Sequence, residues 1–473
     1  MVRIKVPDGT FPNSLGIDEN RPFPSMECLT NEEKKELGKR VDSLVDFHSK
    51  SKLAFQAVAS ISNWLSEQGF EQRDIFSENN KDTKNYFYLD PWQKSSLIVV
   101  KEGKKPITEG FHLINSHADS PCLKIKSRPL RIEGDKDKLY NYLGVRLSTI
   151  PHGGIVIPHW VGQPVKIMGY TINKDGTRKE ISFLGSVEVN SAHIDYSNSE
   201  QVEHSFSPEK SLEITTGYAG VSNLLDSLSF ESPDDFANTH LWAVPTNNMI
   251  SIDEHSKNLL VGYGHDNRTT VFSAIDSIIK TKNPEYTSIV WISDNEEIGD
   301  PSPVGTDGPF FKILLEKIIG EQEINEKRKI SKMEIYQMYS KSKMINGDVT
   351  IAPSRSDEED NMDYQSSAKI GLGAVIEELD ISGNNLHLVR YLRNLASESG
   401  LEKRLCHQLC GQFYNQDKVD LWYSSAPNGL SSKGIPKISV GIPCASCHSP
   451  VEIICPGDEY ATSKLYKRFF EGK

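Results

Sequence analysis

The chain carries an acidic run, DNEE at residues 294–297, directly after an apolar stretch at residues 287–293. Adjacent carboxylates at the end of a buried strand repel one another, and burial penalises their charged forms. A divalent metal ion is the commonest way to offset that cost. Of two neighbouring glutamates, one can then ligate metal while the other acts as general base on an attacking water molecule. The alternative is a solvated acidic loop, which has no chemistry of its own.

Four further apolar stretches end in side chains that ligate metals. They are followed by His117 and Asp119 (after residues 111–115), Asp266 (after 259–263), Asp348 (after 344–346) and His448 (after 438–441). Together with the acidic run, these residues are a ligand inventory for two zinc-like ions that share one carboxylate, with one acidic residue left over as base. In extended backbone His117 and Asp119 point the same way, so Asp119 can hold the imidazole in one tautomer.

The elements around these residues predict an α/β fold. Apolar residues recur at helical spacing over residues 30–68, and after residue 264 short strands alternate with helices. This pattern indicates a mainly parallel mixed sheet flanked by helices. Ligands bind such sheets beyond the carboxyl ends of the strands, where the candidate residues lie.

Residues 127–250 differ in character from the rest of the chain. They are rich in β-branched residues and in Gly, Pro and Asn, and show no long helical period before about residue 222. We therefore predict an inserted, mostly β domain over 127–250. The catalytic domain is then discontinuous, formed by residues 1–126 and 251–473.

Composition narrows the class of protein. The chain has 473 residues, with 53 basic against 65 acidic side chains and a net charge of −12, so a nucleic-acid partner is not expected. It contains no apolar run of about 20 residues, and its first residues lack the apolar core of a secretory signal. The seven cysteines are an odd number, which is typical of a reducing compartment. We expect a cytoplasmic protein without a membrane partner.

The cysteines offer two other interpretations. Residues 444–448 spell C-x-x-C-H, the attachment site of c-type haem, although a cytochrome is normally exported. Alternatively, Cys406 and Cys410 could join Cys444 and Cys447 in a four-thiolate zinc site. We favour a third interpretation, in which these four thiols are simply buried or half-buried.

Five motifs carry a resemblance to a known family: HADSPCLKIK, GHDNR, SDNEEIG, INGDV and CHSPVEI. In this order they resemble the aspartyl aminopeptidase family of two-metal aminopeptidases, over about residues 44–470. The resemblance implies a metal-dependent aminopeptidase that removes N-terminal residues from short peptides. It also implies two divalent ions per chain, of which Zn²⁺ is the first choice and Mn²⁺ or Co²⁺ also suit mixed oxygen and nitrogen ligands.

The same resemblance assigns roles to single residues. Asp266 bridges the two ions, His117 and Asp348 complete one site, and Glu297 and His448 complete the other. Glu296 is the general base, and Asp119 supports His117. Members of the family assemble into dodecamers through the inserted domain, in which His193 aligns with a histidine that contacts substrate in a neighbouring subunit.

One residue departs from the family in a way that bears on the substrate. Glu377 aligns where relatives carry a lysine that helps bind an acidic side chain. A carboxylate there repels acidic substrates by about 1 kcal/mol or more at close range. The sequence therefore predicts a preference for non-acidic N-terminal residues.

Two further alternatives stay open at the level of sequence. Deacetylases and carboxypeptidases have a similar metal inventory, so the chain could be another two-metal amide hydrolase. An inactive peptidase fold kept as a scaffold or receptor is a different class of protein. The complete set of ligands argues against an inactive fold.

Overall fold

The computed structural model describes residues 26, 29–77, 83–130, 144–188, 212–252, 258–300, 302–352, 368–377, 386–401 and 434–472, and the backbone of 405–408. The α-helices in these ranges are α1 Asn31–Lys50, α2 Ala54–Glu67, α3 Ile157–Trp160, α4 Val221–Leu228, α5 His265–Lys280, α6 Phe310–Glu326, α7 Lys332–Lys341, α8 Leu386–Glu398 and α9 Pro456–Glu471. Short 3-10 turns lie at Ile107–Glu109, Pro233–Asn238 and Glu296–Ile298. No helix in the described ranges is both long and apolar enough to cross a membrane.

The strands of the described ranges belong to three sheets. In chain order they are β1 Glu71–Arg73, β2 Asn85–Leu89, β3 Leu97–Lys101, β4 Phe111–His117, β5 Cys122–Ile125, β6 Arg146–His152, β7 Pro164–Ile172, β8 Arg178–Glu188, β9 Glu213–Thr216, β10 Thr239–Pro245, β11 Ile250–Ser251, β12 Leu260–Gly262, β13 Thr287–Ser293, β14 Lys343–Asn346, β15 Val349–Ile351, β16 Ala374–Glu377, β17 Leu405–Gln408, β18 Lys437–Cys444 and β19 Glu452–Ile454.

The main sheet has ten strands in the order β1-β2-β3-β13-β4-β14-β18-β16-β17, with β15 paired to β18. Its centre is parallel: β13 pairs with β4, β4 with β14, and β14 with β18. All seven residues of β13 are buried, as expected for a strand covered on both faces. The register sets Ser293 opposite His117, so β13 and β4 end side by side.

Helices cover both faces of this sheet, which confirms the predicted α/β class. On one face α1, α2, α5 and α9 contribute to a core that includes Leu44, Ile61 and Ile275. On the other face α6 and α7 pack against the sheet, and Phe311 of α6 stacks on Trp291 of β13. The helical stretch predicted for residues 30–68 is two helices, α1 and α2, and α1 begins with a capping box between Thr30 and Glu33.

The strands β5–β10 close into a separate barrel in the order β10-β5-β6-β9-β8-β7. Every pair in it is antiparallel. Its interior holds its own apolar cluster, including Leu147, Ile167 and Ile214. The first barrel strand, Cys122–Ile125, begins three residues after Asp119, so a short connection joins the barrel to the end of β4.

The strand that leads to Asp266 lies outside the main sheet. Sequence reasoning treated it like the other four strands, but β12 pairs antiparallel with β11 and β19 in a small three-stranded sheet. Short apolar strands of both sheets look alike in sequence, because pairing partners are chosen by the whole fold. The small sheet brings β19, which follows His448, next to the segment that carries Asp266.

Candidate metal centre

His117, the last residue of β4, faces a group of carboxylates through its Nε2 atom. Nε2 lies 3.3 Å from Asp348 Oδ1 and 3.5 Å from Asp266 Oδ1. On the other side of the ring, Nδ1 lies 3.4 Å from Asp119 Oδ1 and 3.2 Å from the Asp119 carbonyl oxygen. Asp119 is therefore placed to hold the imidazole with Nε2 free for a cation.

Asp266 lies between two histidines at the start of α5. Its Oδ1 is 3.5 Å from His117 Nε2, and its Oδ2 is 3.4 Å from His448 Nε2. The backbone is fixed on both sides of the carboxylate, since the amide donates to Glu452 Oε2 at 3.1 Å and the carbonyl accepts from the Ser120 hydroxyl. Each oxygen of this carboxylate therefore faces a different imidazole.

Glu296 and Glu297 lie on the 3-10 turn after β13 and also face different histidines. Glu296 Oε2 is 3.7 Å from His117 Nε2, and Glu297 Oε2 is 3.6 Å from His448 Nε2. Both backbone amides donate to the Asp119 carboxylate, at 3.2 Å each. The turn, rather than the strand, separates the two side chains.

The structure thus brings together all the described site residues that the sequence predicted. Within the described ranges, three groups have ligand atoms within 4.8 Å of one another: His117/Asp266/Asp348, His117/Glu296/Glu297 and Asp266/Glu297/His448. No cysteine belongs to these groups. His193, Cys406 and Cys410 carry predictions whose side chains lie outside the described residues.

This arrangement fits divalent cations. Around a tetrahedral zinc with bonds of about 2.0–2.1 Å, ligand atoms lie about 3.3–3.4 Å apart. The nitrogen–oxygen distances that Asp266 makes to the two histidines are 3.4 and 3.5 Å. In addition, Asp266 Oδ1 and Glu297 Oε1 are buried without a hydrogen-bond partner, which is costly unless a cation satisfies them.

The protonation of the cluster follows from crowded carboxylates. Burial opposes a charged imidazole, but Glu296 and Asp348 raise the pKa of His117 well above 6.5. Burial likewise opposes the charge on His448, whereas Asp266 raises the pKa of His448 to about 9. Burial and the charge of Asp266 raise the pKa of Glu297 well above 4.5. A cation that binds here must displace these protons.

Sequence reasoning missed Glu452, which joins the segment of Asp266 to that of His448. This glutamate of β19 is 1% exposed. Its Oε2 accepts from the amides of Gly264 and Asp266 at 3.1 Å each, and its Oε1 accepts from the amide of His448 at 3.0 Å. The sequence feature that could have identified this residue is a single carboxylate in a short apolar strand, four residues after His448.

Sequence reasoning also missed His152, at the end of barrel strand β6. Its Nε2 lies 3.0 Å from Asp119 Oδ2. The surrounding motif, Pro151-His152-Gly153-Gly154, indicated only a turn, since a single histidine carries little information.

An α/β sheet with helices on both faces, ending in this cluster of carboxylates and imidazoles, defines a metallohydrolase. The sequence profile of the family described as "Aminopeptidase I zinc metalloprotease (M18)" matches residues 47–195 and 199–470. The chain therefore belongs to the M18 family. It is a metalloaminopeptidase, a hydrolase acting on peptide bonds. The family assignment does not support the alternatives of a cytochrome or an inactive scaffold.

Individual relatives agree with this assignment. The probable M18 family aminopeptidase 1 of Borrelia garinii is 25% identical over 484 residues, covering 94% of this chain and 98% of the relative. Among solved structures, the M18 aminopeptidase of Thermotoga maritima has a TM-score of 0.79 at 21% identity, covering 95% of this chain and 99% of that one. The mApe1 dodecamer of S. cerevisiae has a TM-score of 0.68 at 17% identity, with coverages of 93% and 98%.

Proposed function

We propose that the protein is a two-metal aminopeptidase in which Asp266 would be a ligand common to both ions. His117 and Asp348 would hold one ion, and Glu297 and His448 the other. The observation that carries this proposal is the Asp266 carboxylate, whose two oxygens face the two histidines at 3.5 and 3.4 Å. Zinc suits the mixed nitrogen and oxygen donors, and Mn²⁺ or Co²⁺ are the next choices.

Ions at these positions would supply Lewis acidity, which polarises a scissile carbonyl and makes water a nucleophile at neutral pH. The chain supplies the proton transfers. Glu296, beside the His117 side of the cluster, takes a proton from the attacking water and passes it to the departing nitrogen of the peptide. Asp119 keeps the turn that carries Glu296 in place through the backbone amides of the two glutamates.

We further propose a preference for non-acidic N-terminal residues. The supporting observation is the position of Glu377, whose Oε1 accepts a hydrogen bond from the hydroxyl of Thr350 at 3.2 Å. Thr350 follows the candidate ligand Asp348 by two residues, so the Glu377 carboxylate contacts the short strand β15 that comes directly after this candidate ligand. An acidic substrate side chain approaching it is repelled by about 1 kcal/mol or more.

A panel of p-nitroanilides tests both parts of the proposal. Leu- and Lys-p-nitroanilide should be cleaved faster than Asp-p-nitroanilide, and a chelator should abolish all three activities. N-acetyl-Leu-p-nitroanilide should resist cleavage, and turnover of it would instead favour another amide hydrolase. Fastest cleavage of the Asp substrate would refute the non-acidic preference without touching the metal mechanism.

The role of Glu377 can be separated from general effects of charge. Glu377→Gln should raise kcat/KM for the Asp substrate relative to the Leu substrate about fivefold, which corresponds to about 1 kcal/mol. Glu109→Gln, an exposed change in the 3-10 turn before β4, should leave that ratio unchanged. Equal ratios in all three proteins would remove Glu377 from specificity.

Three further proposals concern the domain boundaries, the oligomeric state and the location of the protein. We propose a discontinuous catalytic domain, residues 1–126 and 251–473, and an inserted domain, 127–250, because the barrel strands form an apolar core of their own. A homododecamer is supported by the similar mApe1 dodecamer. The resemblance to the family further implies short peptides as substrates and a role for His193 in a neighbouring active site. A cytoplasmic location is supported by the free thiols of Cys122, Cys444 and Cys447.

A further inference from the structure

Residues 152–160, which run from the end of β6 to the end of α3, connect the barrel to the candidate metal centre. We refer to them as the 152–160 segment. The segment belongs to the barrel by sequence, yet it contacts Asp119, which supports His117, and also His448. Three independent contacts show how it does so.

The first contact is between His152 and Asp119. Both side chains are buried, with 8% and 5% exposed, and His152 Nε2 lies 3.0 Å from Asp119 Oδ2. The same carboxylate accepts the amides of Glu296 and Glu297. His152 therefore contacts Asp119. Asp119 in turn orients the proposed base Glu296, the proposed ligand Glu297 and the ring of His117.

The second contact is between Gly153 and Glu297. Gly153 has φ +78°, a conformation that residues with a side chain rarely adopt. A Cβ atom at this position would lie 3.1 Å from both Cβ and Oε2 of Glu297. Only glycine lets the segment approach the ligand this closely.

The third contact holds His448. Its Nδ1 donates to the carbonyl of Gly154 at 2.9 Å, which leaves Nε2 to face Asp266 and Glu297. The carbonyl of His448 accepts from the amide of Val156 at 3.2 Å and from Trp160 Nε1 at 3.3 Å. The segment thus fixes both the ring and the backbone of this proposed ligand.

We propose that the barrel is a working part of the metal centre, because the 152–160 segment orients Asp119 and His448 together, with His152 as a positioning residue. The inference rests on the ligand assignments under the proposed function. This role is distinct from a role of the barrel in assembly. If the barrel is displaced from the catalytic sheet, both proposed metal sites are disturbed at once.

Zinc binding to the metal-free protein tests this proposal. His152→Ala should weaken zinc binding, measured by competition with a chromophoric chelator, by about 10- to 100-fold. His152→Gln places an amide donor close to the position of Nε2 and should recover affinity to within about threefold of the unmutated protein. With Co²⁺ in place of zinc, the visible absorption spectrum should change in the alanine variant and return in the glutamine variant.

A second variant and a control accompany these measurements. Gly153→Ala should weaken zinc binding in the same direction, because the added Cβ displaces Glu297. His159→Ala removes an exposed histidine of the same segment and should stay within about twofold of the unmutated protein. Thermal unfolding of each metal-free variant reports whether the fold itself has changed.

The outcomes separate this inference from the proposed function. If the unmutated protein binds no zinc, the ligand assignment itself fails. If it binds zinc and His152→Ala binds within twofold of it, the barrel does not position the ligands. The proposal is also overturned if His152→Gln is as defective as His152→Ala, because a lost hydrogen bond then cannot be the cause.

Discussion

Glu296 and Glu297 are adjacent in the chain, yet their carboxylates lie beside different histidines. The separation comes from the turn after β13, where Asn295 has φ +69° and its amide side chain donates to Ser302 Oγ at 2.8 Å. Asp294, which begins the run, accepts a hydrogen bond from the backbone amide of Asn295 at 2.8 Å. Burial and the nearby charge of Asp119 raise the pKa of Asp294 to about 7. Two residues of the acidic run therefore shape the turn, and two face the centre.

Glu296→Gln should separate proton transfer from metal binding. The amide cannot accept a proton, so kcat should fall about 10²- to 10⁴-fold while zinc content stays that of the unmutated protein. Glu297→Gln is the matched comparison and should lower zinc affinity as well as kcat. Measurements of kcat on Leu-p-nitroanilide and of bound zinc decide the matter. Full activity in Glu296→Gln would remove this residue from the mechanism.

Glu452 is the residue that most directly joins the two ligand segments. Burial and the charge of Asp266 raise the pKa of Glu452 to about 8, although three backbone amides donate to the carboxylate. One carboxylate oxygen accepts a hydrogen bond from the Asp266 amide and the other from the His448 amide. Both oxygens are therefore needed as acceptors.

Glu452→Gln should therefore disturb the centre although it keeps the size of the side chain. Its NH₂ group must face a backbone N–H, which costs about 1–3 kcal/mol and should lower zinc affinity about tenfold. Competition with a chelator measures the affinity, and Glu109→Gln serves as the exposed control. Zinc affinity equal to that of the control would show that Glu452 only fills space.

At the scale of elements, three helices on one face of the sheet are joined by a buried ionic cluster. Arg40 of α1 donates to both carboxylate oxygens of Glu459 in α9, at 2.6 and 2.5 Å, and to Asp276 of α5 at 2.5 Å. Arg40 and Asp276 have side chains 5% and 8% exposed. Since α5 begins at His265, the ionic cluster also helps to position the helix that carries Asp266.

Asp276→Asn should lower stability in a pH-dependent way. Burial favours the neutral acid, but Arg40 and Lys280 outweigh it and hold the pKa of Asp276 below 3.8. The contribution is therefore present above pH 3.8 and is lost as pH falls through the lower, folded-state value. We expect a loss of about 1–3 kcal/mol at pH 7 that shrinks below pH 4.

Urea unfolding of the metal-free proteins at pH 7, 5 and 3 measures this difference. Asp46→Asn is the matched control, because Asp46 pairs with Lys50 on the surface of α1, the helix that carries Arg40, and contributes little. A difference between Asp276→Asn and the unmutated protein that persists unchanged at pH 3 would contradict the assignment of the ion pair.

At the scale of the whole molecule, the proposed ions join parts of the chain that are far apart in sequence. The ligands come from β4, α5 and the segments that follow β13, β14 and β18, and the barrel adds contacts through residues 152–160. A cation bound by all of them stabilises the folded form over the unfolded chain. Metal binding and global stability should therefore be coupled.

Zinc added to the metal-free protein should raise the melting temperature in proportion to the logarithm of its free concentration. At 100 times Kd each site adds about 2.7 kcal/mol. Asp266→Asn, which weakens the shared ligand, should show a clearly smaller rise. Scanning calorimetry over a range of buffered zinc concentrations provides the measurement. An equal rise in both proteins would place the stabilising zinc elsewhere.

Much of the catalytic part could be predicted because its signals are local. The buried run that became β13, the acidic run after it and the helical spacing of α1 and α2 each depend on residues close together in sequence. The pairing of β12 with β19 could not be predicted in this way, since a three-residue strand does not specify its partner. The contact of Gly154 with His448 joins residues 294 positions apart and left no mark on either motif.

The sequence by itself determined which side chains are available: two histidines, three carboxylates proposed as ligands and a further glutamate proposed as base, each following a short apolar stretch in a recognisable order. It determined the α/β class for the same reason, because periodicity and strand ends are properties of the local chain. Only the tertiary structure decided that the two oxygens of Asp266 face different histidines, that Glu452 ties their backbones together, and that His152 reaches Asp119 from the barrel. Those contacts depend on strand order and on packing between distant segments, and these emerge only when the whole chain buries its core.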